Sequence, residues 1–169
     1  MPELLKNIFY GEKYFDQLAK DVKKVYKTFD DNKFIKLIFD SQWRNFELKE
    51  RMHHTAKCIH QLLPEKYNEA LKILLKVVTR ERSKHPQFFE DMCFADYVEM
   101  YGIDYPEISI PALGIFTQYS SSEFAVRPFI IKYPELTMKH LLEWTNHPNH
   151  HVRRFASEGC RPRLPWGIA

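Results

Sequence analysis

The chain has 169 residues, enough to bury a core as one domain or part of a larger one, and a net charge of +3. Five glycines among abundant Lys, Leu and Glu disfavour a turn-rich β architecture. No apolar run nears the roughly 18 residues of a membrane span, no secretory leader pattern opens the chain, and three cysteines (Cys58, Cys93, Cys160) form no CxxC pair, so the sequence predicts a cytoplasmic protein without a membrane segment or disulfide framework.

Helical periodicity then runs almost throughout. Residues 12–26 place Phe15, Leu18, Ala19, Val22 and Tyr26 on one stripe. Asp30 or Asp31 can cap a second helix carrying Phe34, Ile35, Ile38 and Phe39. A third helix is predicted from about Trp43 to Leu63, ahead of Pro64, and a fourth from about Tyr67 to Thr79. His85-Pro86 breaks the chain before a fifth, about Phe88 to Tyr101, which Gly102 can end. Residues 103–110, with Asp104 and Pro106, read as the longest connecting loop. Beyond it short helices are predicted over 111–118, 121–131, 134–146 and 149–158, joined by tight turns. The chain is thus expected to be all-α.

Two of the late helices share a pattern. Val126-Arg127 and Val152-Arg153 each fall early in a helix after a short turn, 26 residues apart, with one helix between them. An apolar-Arg pair opening the second helix of a helix–turn–helix unit is what a HEAT-like repeat shows, and such units bury their apolar faces against their neighbours. Charge follows the same division. Residues 1–126 hold 18 Lys and Arg against 19 Asp and Glu, whereas residues 127–169 hold 7 against 3. Four of those seven cations are arginines within 153–163, a cluster suited to phosphate or to an ordinary solvated basic face.

Two stretches carry more specific information. One is Ser120-Ser121-Ser122-Glu123-Phe124-Ala125-Val126-Arg127-Pro128-Phe129. The other runs from His151 through Arg154, Glu158, Gly159, Cys160, Arg161, Pro162, Arg163 and Pro165 to Trp166. Together with the opening at Pro2–Asn7 and the stretch Glu47–Met52, they closely resemble the AlkC branch of the bacterial HEAT-like DNA alkylation repair glycosylases. The resemblance spans the chain and is most specific over 120–166. It implies an α-solenoid of HEAT-like repeats (a partial right-handed superhelix). In that reading residues 1–169 form one repeat domain, with N-terminal helices over 1–102 and DNA-facing repeats over 111–169. It also implies a basic concave face for double-stranded DNA and excision of cationic alkylated bases, 3-methyladenine above all, in base excision repair without full base extrusion. Family members continue well beyond residue 169, so the cleft is expected to be incomplete. The uncovered last repeat offers a surface for a homodimer.

The chemistry needed by that activity is modest. A base alkylated on a ring nitrogen already carries positive charge and leaves readily, so the enzyme mainly supplies negative charge beside the sugar. Glu123 is the first candidate, although Ser120-x-x-Glu123 also matches a capping box. Glu158 is the second. It sits in the last turn of its helix, where the macrodipole disfavours a carboxylate, and either an i,i+4 pair with Arg154 or a place near the lesion accounts for it. By the resemblance, Trp166 and Phe124 line the lesion pocket, with a cation–π contact to the charged base, and Arg127, Arg153, Arg154, Arg161 and Arg163 contact DNA. His147 and His151 stand four apart but Pro148 separates them, and the family needs no metal or cofactor. The alternative is a HEAT-like module that binds DNA or protein without turnover.

Overall fold

The computed structural model describes residues 8–165. Among them every regular element is helical. The α-helices are α1 (Glu12–Val25), α2 (Asp31–Ile38), α3 (Leu48–His60), α4 (Tyr67–Lys76), α5 (Met92–Tyr101), α6 (Pro106–Phe116), α7 (Arg127–Lys132), α8 (Pro134–Trp144) and α9 (His150–Glu158). Single 3-10 turns occupy Trp43–Asn45 and Arg82–Lys84, and a π turn at Val77–Glu81 continues α4.

Local chemistry explains most boundaries. Asp30 caps α2 by accepting from the Lys33 N–H at 2.8 Å, and Asn149 caps α9 by accepting from the His151 N–H at 2.8 Å. The capping box of the chain lies at Glu47 and Glu50, whose side chains close reciprocally on the start of α3. For that reason α3 begins at Leu48, and the predicted start at Trp43 is a separate 3-10 turn. Gly102 ends α5 for want of room: a Cβ there would run into the Tyr67 hydroxyl and the Ser109 Oγ, which hydrogen-bond each other at 2.8 Å.

Two expectations are corrected. Residues 103–110 are not the long loop that Asp104 and Pro106 suggested. Pro106 occupies the first turn of α6, where its missing N–H is harmless and its φ is preset. Pro111 sits inside the same helix and forgoes one ladder bond, because Ile110, Leu113 and Phe116 are all buried along it. The helix predicted over 121–131 is cut to α7, with turns over 123–126 before it. Two serines there make bonds to other elements in place of helix, Ser120 Oγ donating to the Phe88 carbonyl at 2.9 Å and Ser122 Oγ to the Leu113 carbonyl at 2.9 Å, while Ser121 Oγ accepts locally from the Glu123 N–H at 3.4 Å. Ser120 therefore does not form a capping box with Glu123.

The helices stack in two rows, each packing on its neighbours, as an α-solenoid does. One row runs α1, α4, α6, α8; the second runs α2, α3, α5 and is continued by α9 against α6 and α8. At the first end Phe15, Phe34, Phe39 and Trp43 meet edge to face at 5.4–6.2 Å between ring centres. In the middle, Arg82 lies fully buried between Asp91 at 2.9 Å and Asp21 at 3.2 Å, with the Tyr14 ring 5.2 Å away. At the far end Ile131 (66% exposed), Met138 and Leu142 (70%) leave α7 and α8 with an uncovered apolar face. Among the described residues no helix is long and apolar enough to cross a membrane.

Candidate active site

The turn over 123–126 delivers Glu123 to the last helix. Ser120 and Ser122 tie the approach to the 88 loop and to α6, so the backbone entering Glu123 is fixed from both sides. Its side chain is only 10% exposed and meets the Arg154 guanidinium of α9 at 2.6 Å. Burial pushes the Glu123 carboxyl above the ordinary carboxylate range; Arg154 opposes this, Glu158 adds to it and Arg161 opposes it again. The two glutamates therefore feel each other's charge. Glu123, Arg154, Glu158 and Arg161 form one electrostatic group.

The pairing inside that group differs from the local expectation. Arg154 does not hold Glu158 one helical turn along α9. Glu158 instead pairs with Arg161 at 2.8 Å, beyond the helix end, where a cation offsets the unfavourable macrodipole. Arg154, released from its own helix face, reaches back 31 positions to Glu123. Each carboxylate thus has one half-exposed arginine, and each arginine has a solvent-facing side.

The remaining predicted residues divide. Arg127 is turned inward: it is buried and donates to the Gly159 carbonyl at 3.2 Å and the Arg161 carbonyl at 2.8 Å. It clamps the exit of α9, and a buried guanidinium engaged with two carbonyls is not placed for phosphate. Arg153 donates to the carbonyls of His147 and Pro148 at 2.8 Å each and remains exposed, so the repeated Val-Arg step conserves the buried valines (Val126, Val152) but not the arginine's task. Arg163 is exposed in the turn past α9. Phe124 is half-buried, in a small cleft of about 30 Å³ with Tyr10, Leu48, Met52, Phe89 and Met92, and Lys49 Nζ lies 5.4 Å over its ring. Trp166 and the Pro2–Asn7 opening lie outside the described residues.

Sequence reasoning overlooked Phe88, and weighed His151 only as a metal ligand; the two meet beside the serine turn with ring centres 6.3 Å apart. It also overlooked Lys49, which approaches Phe124 across 75 positions, a separation that leaves no local signal. His147, weighed above as a metal ligand, instead accepts the Asn149 N–H on Nδ1 at 3.0 Å.

No protein-family model matches the chain. The solved Pseudomonas fluorescens alkylpurine DNA glycosylase AlkC, bound to DNA containing an abasic site analog, superposes with a TM-score of 0.88 at 32% identity, over 99% of this chain and 45% of that one. The chain is AlkC-like. A Bacillus subtilis (strain 168) protein named "Uncharacterized protein YhaZ" is 45% identical over 163 residues, 96% of this chain and 44% of its own length. The AlkC-like chain thus spans a little under half the length of both relatives. Its all-helical fold is that of a DNA repair glycosylase over this span, and AlkC itself is a DNA-bound protein in the solved complex.

Proposed function

We propose that this chain forms the lesion-facing part of a DNA glycosylase that excises cationic alkylated bases, 3-methyladenine among them, from duplex DNA in the cytoplasm. One observation carries the reading. Glu123 and Glu158, from separate elements, converge into a single group in which each carboxylate is balanced by an arginine with a solvent-facing side. Two negative charges beside the sugar stabilise the oxocarbenium-like transition state and orient water. A cationic base needs little protonation to leave, so an ionised pair suffices. At about 4 Å such an ion pair is worth roughly 1 kcal/mol in water and about 4 at an effective dielectric of 20, so the shielded position of Glu123 matters as much as its charge.

Around this pair Arg153, Arg154, Arg161 and Arg163 would meet backbone phosphates, and Phe124 and Trp166 would line the pocket. Residues 1–102 serve in this reading as scaffold and residues 111–169 as the DNA-facing part of one domain. Two copies would join through Ile131, Met138 and Leu142. The second reading, a HEAT-like module that binds DNA or protein without turnover, is favoured by the pairing of Glu123 and Glu158 with arginines, which gives both carboxylates a structural role.

The test is release of 3-methyladenine from methylated duplex DNA by the wild-type chain, Glu123→Gln and Glu158→Gln. Release that falls at least a hundredfold in either variant, with DNA affinity retained, supports the glycosylase. Tight, salt-sensitive binding without any release by the wild-type chain overturns it in favour of the binding module.

A further inference from the structure

The loop between the 3-10 turn at Arg82–Lys84 and α5 presents an unusual feature. Phe88 is 44% exposed, although its neighbour Phe89 packs inward, stacked on Phe9 at 4.6 Å. An exposed phenyl ring on a mobile loop would be an unremarkable surface residue. This one is fixed. The Phe88 carbonyl accepts from Ser120 Oγ at 2.9 Å, and the Asp91 carboxylate that anchors buried Arg82 also accepts the Gln87 N–H at 3.1 Å.

Two of its contacts lead to the carboxylate group. Ser120 stands three residues before Glu123 on the serine turn. His151, whose ring centre is 6.3 Å from that of Phe88, stands one helical turn before Arg154 on α9 and so shares its face. Burial, His150 and Arg154 lower the His151 pKa, so at neutral pH an uncharged imidazole backs the phenyl ring. The result is an aromatic corner on the face of α9 that also carries Arg154, beside the Glu123–Arg154 pair.

We propose that Phe88 is a positioning residue: its ring, backed by His151, stacks on an exposed nucleobase next to or opposite the damaged nucleotide and holds the duplex in register over Glu123. The inference rests on the glycosylase-fold reading above, since it takes duplex DNA as the occupant. The chemistry of the corner favours that occupant. An apolar π-face sits within an arginine-bearing rim, the combination that a stacked base and its flanking phosphates require. A protein partner would bring no phosphate to the half-exposed face of Arg154. Stacking tolerates any base, so Phe88 contributes affinity and register without sequence preference.

The experiment measures binding of the full chain to a fluorescein-labelled duplex containing an abasic-site analogue, and to its undamaged counterpart, over a salt series. The panel is wild type, Phe88→Ala, Phe88→Trp and His151→Ala. Phe88→Ala should weaken binding to the damaged duplex by about tenfold or more at every salt concentration, leave the slope of log K against log salt unchanged, and leave the melting temperature within about 2 °C of wild type. Phe88→Trp should restore the affinity, and His151→Ala should show a smaller loss of the same kind. Unchanged affinity in Phe88→Ala with a wild type that binds damaged DNA overturns the role of Phe88 alone. So does a loss that Phe88→Trp does not restore. A wild type that binds neither duplex at low salt overturns both this inference and the glycosylase reading, and capture of a protein in place of DNA would have the same consequence.

Discussion

Replacing Glu99 with Gln should make the protein more stable at alkaline pH and change little near pH 5. Glu99 lies on α5, largely buried, and its Oε2 atom has no hydrogen-bond partner among the described residues. Burial, with Asp96 adding, pushes its carboxyl from an ordinary 4.5 up to about 7, against the opposing pull of Lys49 and His53. The folded state therefore holds this proton more tightly than the unfolded chain does. Such a group contributes stability that is full below the unfolded value and is lost as pH rises through 7. At 1.36 kcal/mol per pH unit, the displacement is worth about 3 kcal/mol as a ceiling. Glutamine keeps the shape and removes the ionisation, so Glu99→Gln should exceed wild type by up to about 3 kcal/mol at pH 8, or about 6–12 °C in Tm for a chain of this size. His53 acts with the same sign, because its hydrogen bond to Asp96 at 2.7 Å raises its pKa and its contribution fades as pH rises. A residual fall in stability between pH 6 and 8 should therefore persist in the variant. Urea unfolding followed by circular dichroism at pH 5, 6, 7 and 8 measures this. Parallel stability curves for the two proteins, or a variant weaker than wild type at pH 8, would refute the reasoning.

Three further outcomes are expected. Arg82→Met removes the cation between Asp21 and Asp91 and leaves buried Asp91 without a counter-charge, while Asp21 keeps Lys24 and His85, so urea unfolding at pH 7 should show a loss of about 3–5 kcal/mol, part of it recovered at low pH as Asp91 takes up a proton. Arg154→Ala should raise the Glu123 pKa, which moves the acid limb of any glycosylase pH profile toward higher pH. It should also flatten the salt slope of DNA binding by about one unit, whereas Arg154→Lys should keep both near wild type. Leu142→Glu touches a residue already 70% exposed, so Tm should hold within about 2 °C while concentration-dependent self-association, read by analytical ultracentrifugation, falls.

Where a local rule had a single solution, the sequence foretold the structure. Asp30, one of the two candidate caps, closes the start of α2, and Val126 and Val152 are both buried, as the repeat pattern requires. Failures came where a local signal competed with a distant partner. Ser120-x-x-Glu123 reads as a capping box, worth about 1 kcal/mol, but Ser120 finds the Phe88 carbonyl and Glu123 finds Arg154. Pro106 reads as loop punctuation and Pro111 as a helix start, yet one helix runs through both, because the burial of Ile110, Leu113 and Phe116, each worth about 1.5–3 kcal/mol, outweighs one missing ladder bond. Phe88 carries no pattern at all. Its significance comes from Ser120, 32 residues away, and His151, 63 residues away.

The exchange of partners between Arg154 and Glu158 bears most directly on chemistry. Within α9 an Arg154–Glu158 pair would be worth a few tenths of a kcal/mol and would leave Glu123 buried without a counter-charge. Pairing Arg154 with Glu123 instead neutralises the carboxylate that is hardest to solvate, and Arg161 then takes Glu158 at the helix end, where the macrodipole also favours a cation. Both arginine side chains remain more than half exposed, while Glu123 is only 10% exposed. The carboxylate is therefore the fixed member of its pair and the guanidinium the movable one. A cationic base arriving at Glu123 competes with Arg154 for the same negative charge, and a nearby phosphate offers Arg154 an alternative partner of equal sign. Without DNA, the arginine opposes the upward push that burial exerts on the Glu123 pKa. On the proposed glycosylase reading, a phosphate would draw the arginine outward as the charged base takes its place, so that the site need never hold an uncompensated charge.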